Sequence, residues 1–258
     1  MLKFCANLHF MYRDFPFLER FAAAAADGFR AIEMTYPYEF PAGAIRKQCD
    51  AAGLDVISFN APVGEIVPGR RRGIAVLPGL EQEFREHVRQ GLAYAKALNS
   101  PRLLMLAGLV PDDLPMARAR TTFIGNLRFA ADACETANVT LLIETNNLVE
   151  HPGYYLARLE QAADIIAAVD HPRLRMLFDT FHVGLNEGNI VDNFNRHLAL
   201  IDHVQIANVP GRHQPGEGDL DFDVILPAID ASGYDGWVGC EYFPLTDTRS
   251  SLAWMKDA

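Results

Sequence analysis

Eight repeats of one alternation, a short apolar run followed by a longer amphipathic stretch, restrict the folds open to this chain more than any other feature. The short runs are Leu2–Asn7, Ala31–Met34, Val56–Asn60, Leu103–Leu106, Thr140–Glu144, Arg175–Asp179, His203–Ile206 and Trp237–Glu241. Between them the periodicity predicts helices over Phe17–Ala26, Ala44–Ala52, Glu81–Leu98, Arg118–Ala137, Leu156–Val169, Ile190–Leu198 and Phe222–Ala231, with a shorter one near Ser250–Met255. Phe84, Val88, Leu92, Ala95 and Leu98 recur three or four residues apart, which draws one apolar stripe along a helix. Gly28, Gly53 and Gly233 follow predicted helices, where a residue with positive φ ends the last turn. Strands alternating with helices imply βαβ units and a parallel sheet. Eight units in 258 residues, about 32 each, fit a closed (β/α)8 TIM barrel in one domain over 1–258. A doubly wound sheet is the alternative, but ANLHFMYRDF after the first strand holds no glycine for a dinucleotide fingerprint.

Four of these runs end in, or carry, residues that bind a hard cation. TLLIE ends in Glu144, RMLFD in Asp179 and WVGCE in Glu241, while HVQIAN carries Gln205. A buried, unpaired carboxylate is costly, and three on consecutive strands of a barrel would point at one space. A divalent cation offsets that cost, and an all-oxygen donor set favours Mg²⁺ or Mn²⁺. Taken singly, each acid is more often a helix N-cap or a surface ion pair, and Gln205 more often a hydrogen-bonded core amide, so the set carries the reading. His182, three residues after Asp179 on the loop leaving the sixth strand, is a candidate hydrogen-bond donor to a substrate oxygen. His203, two residues before Gln205, faces the same way deeper in the barrel and reads as structural. Asn7, Glu33 and Asn60 end or nearly end strands and are candidates to line the pocket, with a local turn bond as the alternative.

The formal charge of −10 and pI near 5.2 argue against a nucleic-acid partner, which requires a basic face. Arg70-Arg71-Arg72 is a short isolated basic run, either a solvated loop or a grip for a small carboxylate or phosphate. Arg72, and Arg212 in the turn-rich NVPGRHQPGEGD, are the candidates to hold a substrate carboxylate. The four cysteines lie far apart without a CxxC pair, so neither a disulfide framework nor a thiolate zinc site is expected. No long apolar run and no secretory leader are present, which leads to the expectation of a cytoplasmic protein without a membrane partner. A homodimer is compatible with the sequence.

The order IETNN…LFDTFH…HVQIANVPGRHQPGEGD…GWVGCEY resembles the hydroxypyruvate isomerase family, within the xylose-isomerase-like barrels that also include ketose 3-epimerases, inosose dehydratases and endonuclease IV. The similarity runs from FCANLHF through RRGIAVLPG to GCEYFP. It implies that Glu144 and Glu241 act as acid and base while also ligating metal, and that Asp179 and Gln205 complete the site. Sugar 3-epimerases usually carry His where Gln205 stands. The implied reaction interconverts hydroxypyruvate and tartronate semialdehyde through an enediolate, on a small hydroxy-carbonyl acid or sugar. An isomerase or 3-epimerase acting on another 2-oxo acid or keto-sugar is the alternative. Thr145 replaces a usual Pro, Leu177-Phe178 a usual Gln-Tyr and Gln214 a usual Glu, all in or beside the pocket. These departures bear on the substrate, since related members act on longer 2-oxo acids. An endonuclease would need more His ligands and a basic face, and a non-catalytic barrel is the remaining class.

Overall fold

The computed structural model describes residues 1–64 and 72–256, so Arg70 and Arg71 lie outside the described residues. Eight parallel strands are present: β1 (Lys3–Asn7), β2 (Ala31–Met34), β3 (Asp55–Phe59), β4 (Arg102–Leu104), β5 (Thr140–Glu144), β6 (Leu174–Asp179), β7 (Ile201–Ile206) and β8 (Trp237–Cys240). They hydrogen-bond in the order β3-β2-β1-β8-β7-β6-β5-β4. A parallel bridge between Asn60 and Leu104, with Ala61 N–H donating to the Leu104 carbonyl at 2.7 Å, joins β3 to β4 and brings the barrel to near closure.

The outer layer is made by α1 (Arg20–Ala26), α2 (Ala42–Ala52), α3 (Glu81–Leu98), α4 (Met116–Ala137), α5 (Leu159–Val169), α6 (Thr180–Asn186), α7 (Ile190–His197) and α8 (Phe222–Ala231). A 3-10 segment, Ser250–Lys256, follows β8 in place of a full helix. The stripe on α3 is buried at Phe84, Val88, Ala95 and Leu98, while Leu92 is half-buried at its edge. Gly53 ends α2 at φ 66°, as its position after the periodic stretch predicted.

Three boundaries depart from expectation for local reasons. β4 stops at Leu104 because the β3–α3 loop packs on the chain beyond it; Gly73, at φ 97°, abuts the Leu106 carbonyl with no room for a Cβ. α5 begins at Leu159, whose N–H is capped by the Glu187 carboxylate from after α6, so Leu156 stays outside the helix. α6 was not anticipated: His182 lies on this helix and not on a loop, and Asp179 is its N-cap, accepting from Phe181 N–H at 2.9 Å.

Two apolar regions serve different ends. The main core fills the layer between strands and helices. A smaller set inside the barrel joins Leu104, Leu142 and Leu177 to Val63, Leu106 and Tyr36 beside the strand ends. All four cysteines are free and buried, and no helix among the described residues is long and apolar enough to cross a membrane. On α4, Phe123 is fully buried with its ring 5.4 Å from Tyr155, whereas Met116 is 56% exposed. Phe123→Ala should therefore cost about 3–5 kcal/mol in urea denaturation, and Met116→Ala less than about 0.5 kcal/mol.

Candidate active site

Each strand-end acid sits where the barrel delivers it. Glu144 is the last residue of β5 and Asp179 the last of β6; Asp179 pairs in register with Gln205 of β7, which pairs with Gly239 of β8. Glu241 lies one residue past β8 and donates its N–H to the Ile206 carbonyl, which holds it beside β7. All four side chains are buried. Oxygens of Glu144 and Asp179 and a ring nitrogen of His182 lie within 4.8 Å of one another. Glu241 is tied to them by Arg212, whose Nη2 donates to Glu241 Oε2 at 2.7 Å and to Asp179 Oδ2 at 3.2 Å.

This crowding sets the electrostatics. Burial, with Asp179 adding to it and Arg212 opposing, pushes the Glu144 carboxyl up to about 8. Burial raises Asp179 to about 6 against the pull of Arg212 and the Phe181 N–H. Glu241 is also raised by burial, with Arg212 opposing. Two buried oxygens of the cluster, Glu144 Oε1 and Gln205 Oε1, have no hydrogen-bond partner among the described residues. An orphaned buried acceptor is costly, and oxygen donors alone suit a hard cation, so the residues present fit a divalent metal.

Arg212 is placed differently from a free anion grip. It lies at φ 55°, with its guanidinium 4.7 Å from the ring centres of both Phe10 and Phe181, and turns inward onto the acids. Its Nε faces the Glu241 carbonyl at 3.3 Å. Arg72 is exposed, within electrostatic reach of Tyr36, His151 and His182. Asn60 follows β3, half-buried; its carbonyl accepts from the Tyr38 hydroxyl at 2.8 Å and its side chain bonds Tyr36. Burial pushes the Tyr36 phenol up to about 12, while Asn60 and Arg72 oppose the shift.

The proton on His182 is assigned by its neighbours. Its Nδ1 faces both the backbone N–H of Asn147 (3.2 Å) and Asn147 Nδ2 (2.8 Å), while Asn147 Oδ1 accepts from Glu150 N–H at 2.7 Å. Nδ1 is thus the acceptor and Nε2 carries the hydrogen. Burial holds the ring well below its ordinary pKa, so it is a neutral donor. Nε2 lies 3.7 Å from Glu144 Oε1 and 3.6 Å from Asp179 Oδ2. A protonated nitrogen cannot ligate a cation, and this sets His182 apart from its acidic neighbours.

Beneath the acids lies a polar floor. Asn7 Nδ2 donates to Glu33 Oε1 at 3.0 Å and to Glu241 Oε1 at 3.2 Å. Glu33 also receives Ser58, Gln205 and His203, the last at 2.6 Å, and His203 is fully buried as its place on β7 predicted. Sequence reasoning named Glu33 only as a pocket candidate and missed Tyr36, Phe10, Phe181 and Glu150. Glu150 carries a readable signal, an acid at helical spacing from Asn147 within the loop after β5, and Asn147 Nδ2 reaches it at 3.1 Å. Away from this cluster, a groove of about 650 Å³ runs along the outer wall by Leu226, Pro227 and Trp254; none of the strand-end acids lines it.

Comparison with known proteins agrees with this architecture. The family described as xylose isomerase-like TIM barrel matches residues 21–258. A 2-oxo-tetronate isomerase of Cupriavidus necator is 44% identical over 256 residues, covering 99% of this chain and 98% of that protein. The hydroxypyruvate isomerase of Escherichia coli is 36% identical over 255 residues, covering 99% and 98%. A crystal structure described as an AP endonuclease, family 2, from Brucella melitensis superposes with a TM-score of 0.96 at 37% identity, covering 100% and 99%. The chain belongs to the xylose isomerase-like TIM barrel family and, with full-length relatives named hydroxypyruvate and 2-oxo-tetronate isomerases, is an isomerase enzyme of that family.

Proposed function

We propose a cation-dependent isomerase that shifts a hydrogen between carbons 2 and 3 of a short 2-oxo-3-hydroxy acid. The four-carbon 2-oxo-tetronate is the preferred substrate, because the relative bearing that name is 44% identical along nearly the whole chain. Hydroxypyruvate, one carbon shorter with the same reacting unit, is the second reading and is favoured by the relative at 36% identity. The site carries the reading through one observation: two buried glutamates, Glu144 and Glu241, share a cluster with a third acid and two orphaned oxygens.

Glu144, Asp179, Gln205 and Glu241 would hold Mg²⁺ or Mn²⁺, which when bound supplies Lewis-acid polarisation of the substrate carbonyl and neighbouring hydroxyl. One glutamate of the pair takes the proton from carbon 3, leaving an enediolate, and the other delivers a proton to carbon 2. The hydroxyl proton passes to the neighbouring oxygen. The Nε2–H of His182 donates to a substrate oxygen, and Asn7 keeps Glu241 oriented. Arg72, with Asn60 and Tyr36 beside it, receives the substrate carboxylate, and Arg212, bonded to Asp179 and Glu241, lies beside the reacting groups as a further donor. Leu177, Val63 and Leu106 form an apolar wall that excludes water. With a charge of −10, the chain has no nucleic-acid partner in this reading.

Glu144→Gln and Glu241→Gln should each lower kcat by about 10²–10⁴ with KM little changed. The readout is proton NMR in D₂O with a panel of three- to six-carbon hydroxy-carbonyl compounds. Near-normal turnover in both variants would remove the acid/base pair, and fastest exchange on a keto-sugar would move the substrate to the 3-epimerases.

The raised carboxyls give a pH test. Stability from Glu144 and Asp179 is present below about pH 4, the ordinary carboxylate range. It is lost as pH rises through their raised values, about 8 for Glu144 and about 6 for Asp179. Cation binding needs both ionised and releases protons. Adding Mn²⁺ to EDTA-treated protein should raise Tm more at pH 8 than at pH 5.5 by calorimetry; an equal rise at both would contradict the assignment.

A further inference from the structure

Glu33 is not among the residues proposed to touch cation or substrate, yet four donors converge on it at the end of β2. Asn7 Nδ2 and Gln205 Nε2 reach Oε1 at 3.0 and 2.8 Å; Ser58 Oγ and His203 Nε2 reach Oε2 at 3.3 and 2.6 Å. The side chain is 1% exposed. It lies so close to β8 that a Cβ on Gly239 would sit 2.5 Å from its carboxylate. A buried carboxylate of this kind contributes little to stability compared with apolar residues of the same volume. What it imposes is direction.

An amide is directional: one end donates and the other accepts. Because both oxygens of Glu33 accept, Gln205 must turn its NH₂ to Glu33, which leaves its Oε1 buried and without a partner. The opposite rotamer would set two acceptors face to face and aim donors at the space a cation needs. Asn7 is held the same way: its Oδ1 accepts from His9 N–H at 3.0 Å, so its NH₂ spans Glu33 and Glu241.

We infer that Glu33 is a positioning residue that fixes the amide polarity of Gln205, so that Oε1 is presented to the cation, and that Gly239 is the gap that admits it. The inference rests on the cation site proposed above and adds the residue that orients one of its ligands. Outer partners of this kind change metal affinity by about 10–100-fold.

The test is Mn²⁺ affinity, read from the EPR signal of the free ion, for the wild type, Glu33→Ala, Gln205→Ala and the double variant, with folding checked by circular dichroism. Each single variant should weaken binding about 10–100-fold, and the double should be no weaker than the worse single. Glu33→Gln, which keeps one oxygen opposite Gln205 when its NH₂ faces His203 and the imidazole carries its proton on the unpartnered Nδ1, so that Nε2 accepts, should recover most of the affinity. If Glu33→Ala does not fold, Gly239→Ala, which displaces the carboxylate without removing it, should weaken Mn²⁺ binding in its place. Wild-type affinity in the Glu33 and Gly239 variants, or additive losses in the double, would overturn the inference while leaving the cation site standing. A loss in Glu33→Gln as large as in Glu33→Ala would show that charge, not direction, is what Glu33 contributes. A wild type that binds no Mn²⁺ would sink the cation reading and this one together.

Discussion

Everything at the mouth of this barrel answers to one electrostatic constraint. Glu144, Asp179 and Glu241 are buried side by side, and among the described residues only Arg212 forms an ion pair with any of them that does not depend on a histidine. Burial resists ionisation first and like charges nearby add to it, which is why Glu144 and Asp179 are raised to about 8 and about 6 even with Arg212 opposing. Such a cluster persists because the β-sheet places its members whether or not they are comfortable. Glu144 and Asp179 each end a strand whose inward neighbour two residues earlier is packed, Leu142 and Leu177 in turn, while Glu241 lies one residue past β8.

The same constraint divides the barrel interior in two. On the side of β4, β5 and β6 the lining is apolar, with Leu104, Leu142 and Leu177 supporting the acids from below. On the side of β1, β2, β3 and β7 a polar layer joins Asn7, Glu33, Ser58, His203 and Gln205 in one hydrogen-bond network, beside a small apolar cluster of Cys5, Ala31 and Ile57. The apolar half lowers the local dielectric and sharpens the repulsion; the polar half gives the side chains their orientation. A carboxylate in a loose polar cavity would lose its direction and relax toward its ordinary pKa.

How far the sequence discloses this follows from the range of each interaction. Strand-end acids are legible because each closes its own apolar run, so Glu144, Asp179 and Glu241 stand out within five or six residues. The helix carrying His182 is not, because its 7 residues start directly from the strand with only Asp179 as a cap, leaving no periodic stretch to read. Arg212 sits in a run of turn residues, where the sequence reads it as a grip for a substrate carboxylate and not as a partner of the acids. What draws it inward are Phe10 and Phe181, which are neighbours only in the fold. The network of Glu33 is the extreme case: its partners stand 25, 26, 170 and 172 positions away. Within AIEM the residue looks like an interruption of a strand.

Asp179 does two jobs with two oxygens. Oδ1 caps α6 through Phe181 N–H, and Oδ2 faces Arg212 and the cluster. One rotamer therefore sets both the first turn of α6 and the oxygen turned to the cluster, and that turn carries His182 and the Phe181 ring against which Arg212 stacks. The donor, the stacked guanidinium and the acid are mechanically linked through a single χ1. A change at this corner accordingly moves all three together. A new ligand chemistry here would have to rebuild the corner between β6 and α6 as a block, whereas the wall formed by Val63, Leu106 and Tyr36, which shares no such linkage, is free to drift with the size of the substrate.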